Sequence, residues 1–391
     1  MSTTDASPEA QSTGWAPHDG VVLLHTLAKG LIDLERVRGL DSFTMPYPAE
    51  AQRALDRTVL ACLRKGAGVP RSMAQLIDWC ATRPISDWPL DLPADTVGPD
   101  DLLLDPESGR PTELCHEWAE HGHDTAGEHL DREVIRSALR MCREYGEEES
   151  YSAFRALLVD RPVLTSAESF EVAADLVMEP VRELIGWIYR PAPGGLLMDG
   201  AYATCGRCLT LLTPTRDGLW WCERDRCRRT GPPPVGRRLH PEEVGEVLQL
   251  RRPLRQYVTG PGRAETDLAR KLTGLGLTVR MWPGFDSYDL HVTFPSGMVW
   301  AIDVKDWASP RLLGLAARPV PRTPPYHEAF WVVPRHRVTD RPGYIAMFER
   351  HRPSGARDVR LLTDDGLEEL ARHRLHGSGP DHAPVEGGPR A

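Results

Sequence analysis

The side chains best suited to chemistry lie between Tyr288 and Trp307, in the stretch YDLHVTFPSGMVWAIDVKDW, which carries Asp289, Asp303 and Lys305. Leu290, Val292 and Phe294 alternate with Asp289, His291 and Thr293, and Trp300, Ile302 and Val304 alternate with Ala301, Asp303 and Lys305. That period of two predicts two strands, and Pro295-Ser296-Gly297 supplies the turn between them. Antiparallel pairing would bring Asp289 close to Asp303 with Lys305 on the same face and an apolar face behind. Two carboxylates that close repel unless a cation neutralises them, and a hard divalent ion such as Mg²⁺ or Mn²⁺, bound by carboxylate oxygens and water, does so. An adjacent ammonium can orient or deprotonate a water, or stabilise charge growing on a phosphorane-like transition state while the metal polarises the phosphoryl oxygen. Phosphodiester hydrolysis is the chemistry such a set could perform.

D-x-K alone marks a charged surface hairpin as readily as a site, so the neighbouring elements decide. Arg263–Thr273 (RAETDLARKLT) reads as a helix carrying Glu265, with Leu268 and Leu272 four apart on one face. Leu277–Trp282 reads as a strand before the pair, and Phe330–Val333 (FWVV) as a buried strand after it. This order, α-β-β-β-α-β, with an acid separated by thirteen residues from Asp303-Val304-Lys305, resembles the PD-(D/E)xK restriction-endonuclease-like superfamily. The resemblance implies an α/β core with a mixed sheet over 263–375. It makes Asp289 and Asp303 ligands of Mg²⁺ or Mn²⁺, gives Glu265 an assisting role through water or a second ion, and sets Lys305 on the nucleophile or transition state. The literal Pro-Asp is absent, which leaves Asp286 as a rival to Asp289; strand phase favours Asp289.

A second constellation precedes the core. Cys205-Gly206-Arg207-Cys208 and Cys222-x4-Cys227 are two cysteine pairs thirteen residues apart, the spacing of a zinc ribbon over 196–232. Each pair offers two thiolates, and four complete a tetrahedral structural site in a segment too short to build its own core. Arg207, Arg224, Arg226, Arg228 and Arg229 crowd the knuckles, so the ribbon could also follow a phosphate backbone. Residues 233–262 read as a basic linker, expected to hold one helix over Pro241–Leu250 and to end in a turn at Gly260-Pro261-Gly262.

At 391 residues, with 41% hydrophobic and 26% charged residues, the chain predicts a multidomain globular protein. The polar Met1–Asp19 lacks a signal-peptide pattern and no apolar run is long enough for a membrane helix, so a cytoplasmic protein is expected. Cys62, Cys80, Cys115 and Cys142 are scattered singly and read as buried thiols. The net charge of −9 conceals a division: residues 1–200 hold 18 Lys+Arg against 34 Asp+Glu, residues 201–360 hold 26 against 16. A basic second half beside an acidic first half agrees with a partner that is nucleic acid, since Lys and Arg contacts release condensed counterions.

The acidic part, 20–192, reads as a helical partner-binding module: Val21–Leu40, Ala49–Lys65, Ser72–Thr82, Asp131–Tyr145, Ser150–Leu158 and one long run, Ser166–Tyr189. Pro84–Thr112 is rich in Pro and Asp and reads as a loop; His116, His121 and His123 beside Cys115 read as solvated. Asp358–Leu362 and Asp365–Arg374 should close the core as strand and helix, with disorder over 1–19 and 376–391. A helical half containing YSAFRALLVDRPVLT (Tyr151–Thr165), then a ribbon, then YDLHV…AIDVKDW resembles the restriction-endonuclease-type proteins encoded beside prokaryotic Piwi-like (pPIWI-RE) genes. That implies defence against plasmids or phage with a Piwi-like protein and a helicase. No base-reading helix stands out, so target choice on duplex DNA, unwound strands or an RNA–DNA hybrid is expected to fall to a partner. Two other readings are a nuclease-fold subunit that binds without cutting and a zinc-ribbon adaptor.

Overall fold

In the computed structural model, which describes residues 19–38, 46–120, 130–215, 217–229 and 231–376, the chain divides into two units, Met1–His123 and Asp124–Ala391. The first is helical, as its periodicity predicts. Leu23, Leu24, Leu27, Ala28 and Leu31 of the Asp19–Arg38 helix are buried, and the helix packs on Ala49–Arg64 and Glu113–Glu120. Gly30 permits that approach, because a Cβ there would sit 2.8 Å from the Ala51 Cα. Ser72 caps the Met73–Thr82 helix by accepting from the Gln75 amide. Pro84–Thr112 holds only a 3₁₀ turn, Ile85–Asp87, and the isolated bridge Leu104↔Pro111. His116, expected to be solvated, is 6% exposed, on a helix whose Leu114, Cys115 and Trp118 are also buried; His121 and His123 lie outside the described residues, as do 1–18 and 377–391.

In the second unit, the helices Leu130–Tyr145 and Glu148–Asp160 bury Val134, Ala138, Cys142, Tyr151, Phe154 and Leu158 in one core. The single helix expected over Ser166–Tyr189 is three pieces: Ser166–Ala174, a 3₁₀ stretch Leu176–Val181 and Arg182–Ile188. Asp175 stops the first piece, its side chain accepting from the Val177 amide, and Pro180 denies a continuous helix its amide. The first piece starts on a capping box between Thr165 and Glu168.

Strands β1 (Val163–Thr165) and β2 (Tyr189–Pro191) flank these pieces. The ribbon follows as two antiparallel ladders, β3 (Tyr202–Cys205) with β6 (Val235–Leu239) and β4 (Thr213–Pro214) with β5 (Trp220–Trp221). The helix expected over Pro241–Leu250 is confined to Pro241–Val244; Gly245 takes φ 74° and ends it, and Val247–Leu250 is β7. Val247–Leu250 is held as a strand by its partners, since β7 pairs antiparallel with both β1 and β2.

The expected turn at Gly260-Pro261-Gly262 is the first turn of a helix, Gly260–Gly274, that continues from a π turn at Arg255–Thr259. Pro261 follows directly on that π turn, whose ladder closes with the Gly260 amide donating to the Arg255 carbonyl five residues back. The glycines serve close packing: a Cβ on Gly260 would lie 2.3 Å from the Arg224 guanidinium carbon, and one on Gly262 2.3 Å from Val159. Beyond this helix come β8 (Thr278–Met281), β9 (Leu290–Thr293), β10 (Val299–Val304), a helix Pro310–Leu315, β11 (Glu328–Val333), helices Arg335–Asp340 and Tyr344–His351, β12 (Leu361–Thr363) and the helix Asp364–His376. The sheet order is β12-β11-β10-β9-β8, with β8, β9 and β10 antiparallel and β10, β11 and β12 parallel.

This mixed sheet is covered on both faces. Leu290, Val292, Trp300, Ile302 and Val304 pack with Leu268 and Leu272 of the Gly260–Gly274 helix. Ala301, Trp331 and Val333 pack on the opposite face with Leu313, Tyr344 and Phe348. The polar phase of β10 is therefore open only near Asp303 and Lys305, where the strand runs out.

Candidate active site and metal centre

The Pro295-Ser296-Gly297 turn gives the hairpin its register: Gly297 adopts φ 83°, and Trp300 pairs with Val292, Ala301 with His291 and Ile302 with Leu290. One step further along the ladder, Asp289 comes opposite Asp303. An Asp289 oxygen accepts the Val304 amide at 2.5 Å, tying the end of one strand to the other. Asp303 pairs with Lys305 at 2.9 Å, and the ammonium stands 5.2 Å from the centre of the Trp331 ring. Glu265 reaches the same place from its helix, accepting Trp282 Nε1 at 2.6 Å.

Electrostatics mark the cluster as crowded with negative charge. Asp289 is 8% exposed; burial, with repulsion from Glu265 and Asp303, pushes its carboxyl well above the usual range. Burial also raises Glu265, opposed by Arg155 and reinforced by Asp286. For Lys305 burial acts downward, but Asp303 and Asp289 outweigh it and hold the side chain as a cation. The donors are carboxylate oxygens, the set a hard divalent ion prefers. Among the described residues the cysteines are the group of three or more metal-ligating side chains whose donor atoms lie within 4.8 Å of one another; Glu265, Asp289 and Asp303 gather less tightly, with Lys305 already on Asp303.

An ionised Asp289 thus costs stability at neutral pH. The cost is full above its raised pKa and fades as pH falls toward the ordinary carboxylate range. Asp289→Asn keeps an oxygen for the Val304 amide and removes the charge, so it should raise the melting temperature of the metal-free protein at pH 7 but not near pH 4. A gain of about 1 kcal/mol corresponds to roughly 2–4 °C in a large domain. A pH 7 scan showing an unchanged or lower melting temperature would contradict this electrostatic account.

Asp286 is placed apart from the hairpin pair. It sits in a left-handed turn with Trp282, Gly284 and Phe285 at positive φ, accepts Tyr151 Oη at 3.0 Å and lies 3.4 Å from Arg155 Nε. Arg155 Nη2 is also 3.6 Å from Glu265. Tyr151 and Arg155, four apart on the Glu148–Asp160 helix, thus reach the acidic cluster from outside the hairpin. Sequence reasoning missed both; the available signal was an arginine on the apolar helix YSAFRALLV.

All four ribbon cysteines are buried, and Cys208 Sγ lies 3.4 Å from Cys222 Sγ. A tetrahedral ion with metal–sulfur bonds of about 2.3 Å spaces its sulfurs about 3.8 Å apart, so the cluster has the size and donors for one metal ion such as zinc. Hydrogen bonding from Cys208, Cys222 and Cys227 holds Cys205 below the ordinary thiol range. The ribbon is joined to the sheet through Asp306, the residue after Lys305. Arg337 Nε donates to it at 2.7 Å and Arg224 Nη2 of the second knuckle lies at 3.8 Å. Burial would raise Asp306, but Arg337, Arg224 and His336 together bring it down to about 2.

Among known families, residues 23–165 match the model described as pPIWI_RE three-gene island domain Y, and residues 262–379 match the one described as REase associating with pPIWI_RE. The second match contains Glu265, Asp289, Asp303 and Lys305; the first contains Tyr151 and Arg155. No curated protein and no solved structure matches the chain. No helix among the described residues is long and apolar enough to cross a membrane.

Proposed function

We propose, taking as premise that this chain resembles the REase-type proteins of pPIWI_RE islands, that it is a metal-dependent DNA endonuclease of prokaryotic defence. The single observation that carries the reading is the hairpin register, which sets Asp289 opposite Asp303 with Lys305 alongside, on a core whose helix brings in Glu265. In this reading 263–375 is a restriction-endonuclease-like domain. Asp289 and Asp303 would hold Mg²⁺ or Mn²⁺, which when bound polarises the scissile phosphoryl group. Val304 fixes the orientation of Asp289 through its amide. Lys305, kept cationic by its carboxylate neighbours, stabilises charge on the phosphate in the transition state. Glu265, buried and bonded to Trp282, assists from the helix side. The cysteine cluster holds structural zinc, since a closed four-thiolate site has no open position for a substrate.

Specificity comes from elsewhere. The core between Arg263 and Arg374 has little room for a target-reading insertion, and the acidic 1–190 portion is poorly suited to grip phosphate, so we assign that portion to a protein partner, Piwi-like or helicase. The reading is tested by co-purifying the chain with the products of its neighbouring genes, then assaying cleavage of duplex, single-stranded and RNA–DNA hybrid substrates. Expected is retention of a partner that is lost on deleting residues 1–123, a compact unit whose removal leaves the Glu148–Asp160 helix on the nuclease core, with cutting of unwound or hybrid substrate. Sequence-specific duplex cutting by the isolated chain would overturn delegation of target choice. A second reading, a nuclease-fold subunit that binds without cutting, draws on the Lys305–Asp303 ion pair, which occupies a carboxylate that a metal would need; it predicts binding with no cleavage in any metal or with any partner.

A further inference from the structure

Arg155 lies at 8% exposure between two carboxylates of the acidic cluster, 3.6 Å from Glu265 and 3.4 Å from Asp286, with its guanidinium 5.5 Å from the centre of the Trp282 ring. It is not a stray surface cation folded inward. Its helix is fastened to the one bearing Glu265 by three contacts: Thr259 Oγ1 donates to the Leu158 carbonyl at 2.7 Å, Arg263 pairs with Asp160 at 2.8 Å, and Gly262 leaves room for Val159. Tyr151, one turn earlier, holds Asp286 from the same helix. Left ionised, the buried carboxylates around it carry charge that a cation beside them offsets. A guanidinium stays protonated at any working pH, and in a buried site it repels a nearby divalent ion much more strongly than it would in water.

We infer that Arg155 is a resident cation of the nuclease site, set by the helix preceding the ribbon into the place a second divalent ion would take, so that the site binds one metal ion. This rests on the proposed metal site at Asp289 and Asp303 and assigns Glu265 to Arg155, not to a second ion. Arg155 is then a positioning residue: it balances Glu265 and Asp286 and leaves the metal to Asp289 and to Asp303, which shares its charge with Lys305. It also ties the domain Y match to the REase match, since the first supplies the cation that faces Glu265 and Asp286 of the second.

The test is a Mn²⁺ titration of the full zinc-loaded chain without nucleic acid, read by calorimetry and by the electron paramagnetic resonance of free Mn²⁺. The wild-type chain should bind one Mn²⁺, Arg155→Lys one, and Arg155→Gln two. Where Arg155→Gln does not fold, Arg155→Gln combined with Asp286→Asn removes one of the unbalanced charges, leaves Glu265 and Asp289 to take the extra ion, and should also bind two. One Mn²⁺ in every variant, or two in the wild type, overturns the inference while leaving the metal site standing. No Mn²⁺ bound to the wild type overturns the metal site, and the inference falls with it.

Discussion

Cys205→Ser should leave the full chain without its zinc and open the 196–232 segment to protease. The ribbon cannot hold itself by packing: its buried cluster is Ala203, Leu212 and the four cysteines, with Trp220 partly covered against it. Its ladders are short, two residues each for β4 and β5. A tetrathiolate zinc site contributes an apparent 10–16 kcal/mol in small metal-folded domains, about the whole stability of an ordinary domain, so loss of one ligand loosens the segment around the cysteines, while Tyr202 and Leu211 keep their packing on Val163, Leu239 and Val247. The loss should spread, because Arg224 beside Cys222 reaches Asp306 and fits over Gly260. Metal analysis is expected to give about one zinc per wild-type chain and far less for the variant. Equal protease resistance in both, or no zinc in the wild type, would reject the structural metal.

Lys305→Ala should lower metal-dependent cleavage by roughly 10²–10³-fold, the usual cost of removing one preorganised group that stabilises transition-state charge. Because Asp303 and Asp289 keep Lys305 protonated despite its burial, it works as a cation and not as a base. Lys305→Arg should therefore retain more activity than Lys305→Ala, and the wild-type rate should show no acid limb from deprotonation of this lysine. If Lys305→Ala cleaves like the wild type with its fold intact, the assigned site is wrong. If Lys305→Arg is as inactive as Lys305→Ala while still binding metal and substrate, the electrostatic role fails.

Much of the core was legible because its signals are local. The hairpin bearing Asp289 and Asp303 needs only a period of two and a turn, both within Tyr288–Trp307; the cysteine cluster needs only the cysteine spacing. The helix bearing Glu265 and the strand Phe330–Val333 stand out by apolar periodicity. Elements decided by distant partners were misread. Val247–Leu250 has the composition of a short helix extension and becomes β7 because β1 and β2, 56 or more residues earlier in the chain, offer open edges on both sides. Gly260-Pro261-Gly262 has the composition of a turn; its glycines are instead required by Arg224 and Val159, which no local window contains. The Ser166–Tyr189 run did carry its own warnings in Asp175 and Pro180, which the apolar period overshadowed. Arg155 is the instructive case within the site. A charged residue on a buried helix face implies a partner, but nothing in sequence order says that the partners are Glu265 and Asp286, over a hundred residues away.

Whether Asp289, Asp303 and Lys305 form a divalent-dependent phosphodiesterase is decided by cleavage of labelled single-stranded, duplex and hybrid substrates by the full chain with its co-purifying partner. Wild type and Asp303→Ala should be compared with Mg²⁺, with Mn²⁺ and with chelator, each after its fold and zinc content are verified. The wild type should cut in either metal and not in chelator, and Asp303→Ala should cut under no condition. Cutting that survives in chelator, or in Asp303→Ala, would contradict this assignment.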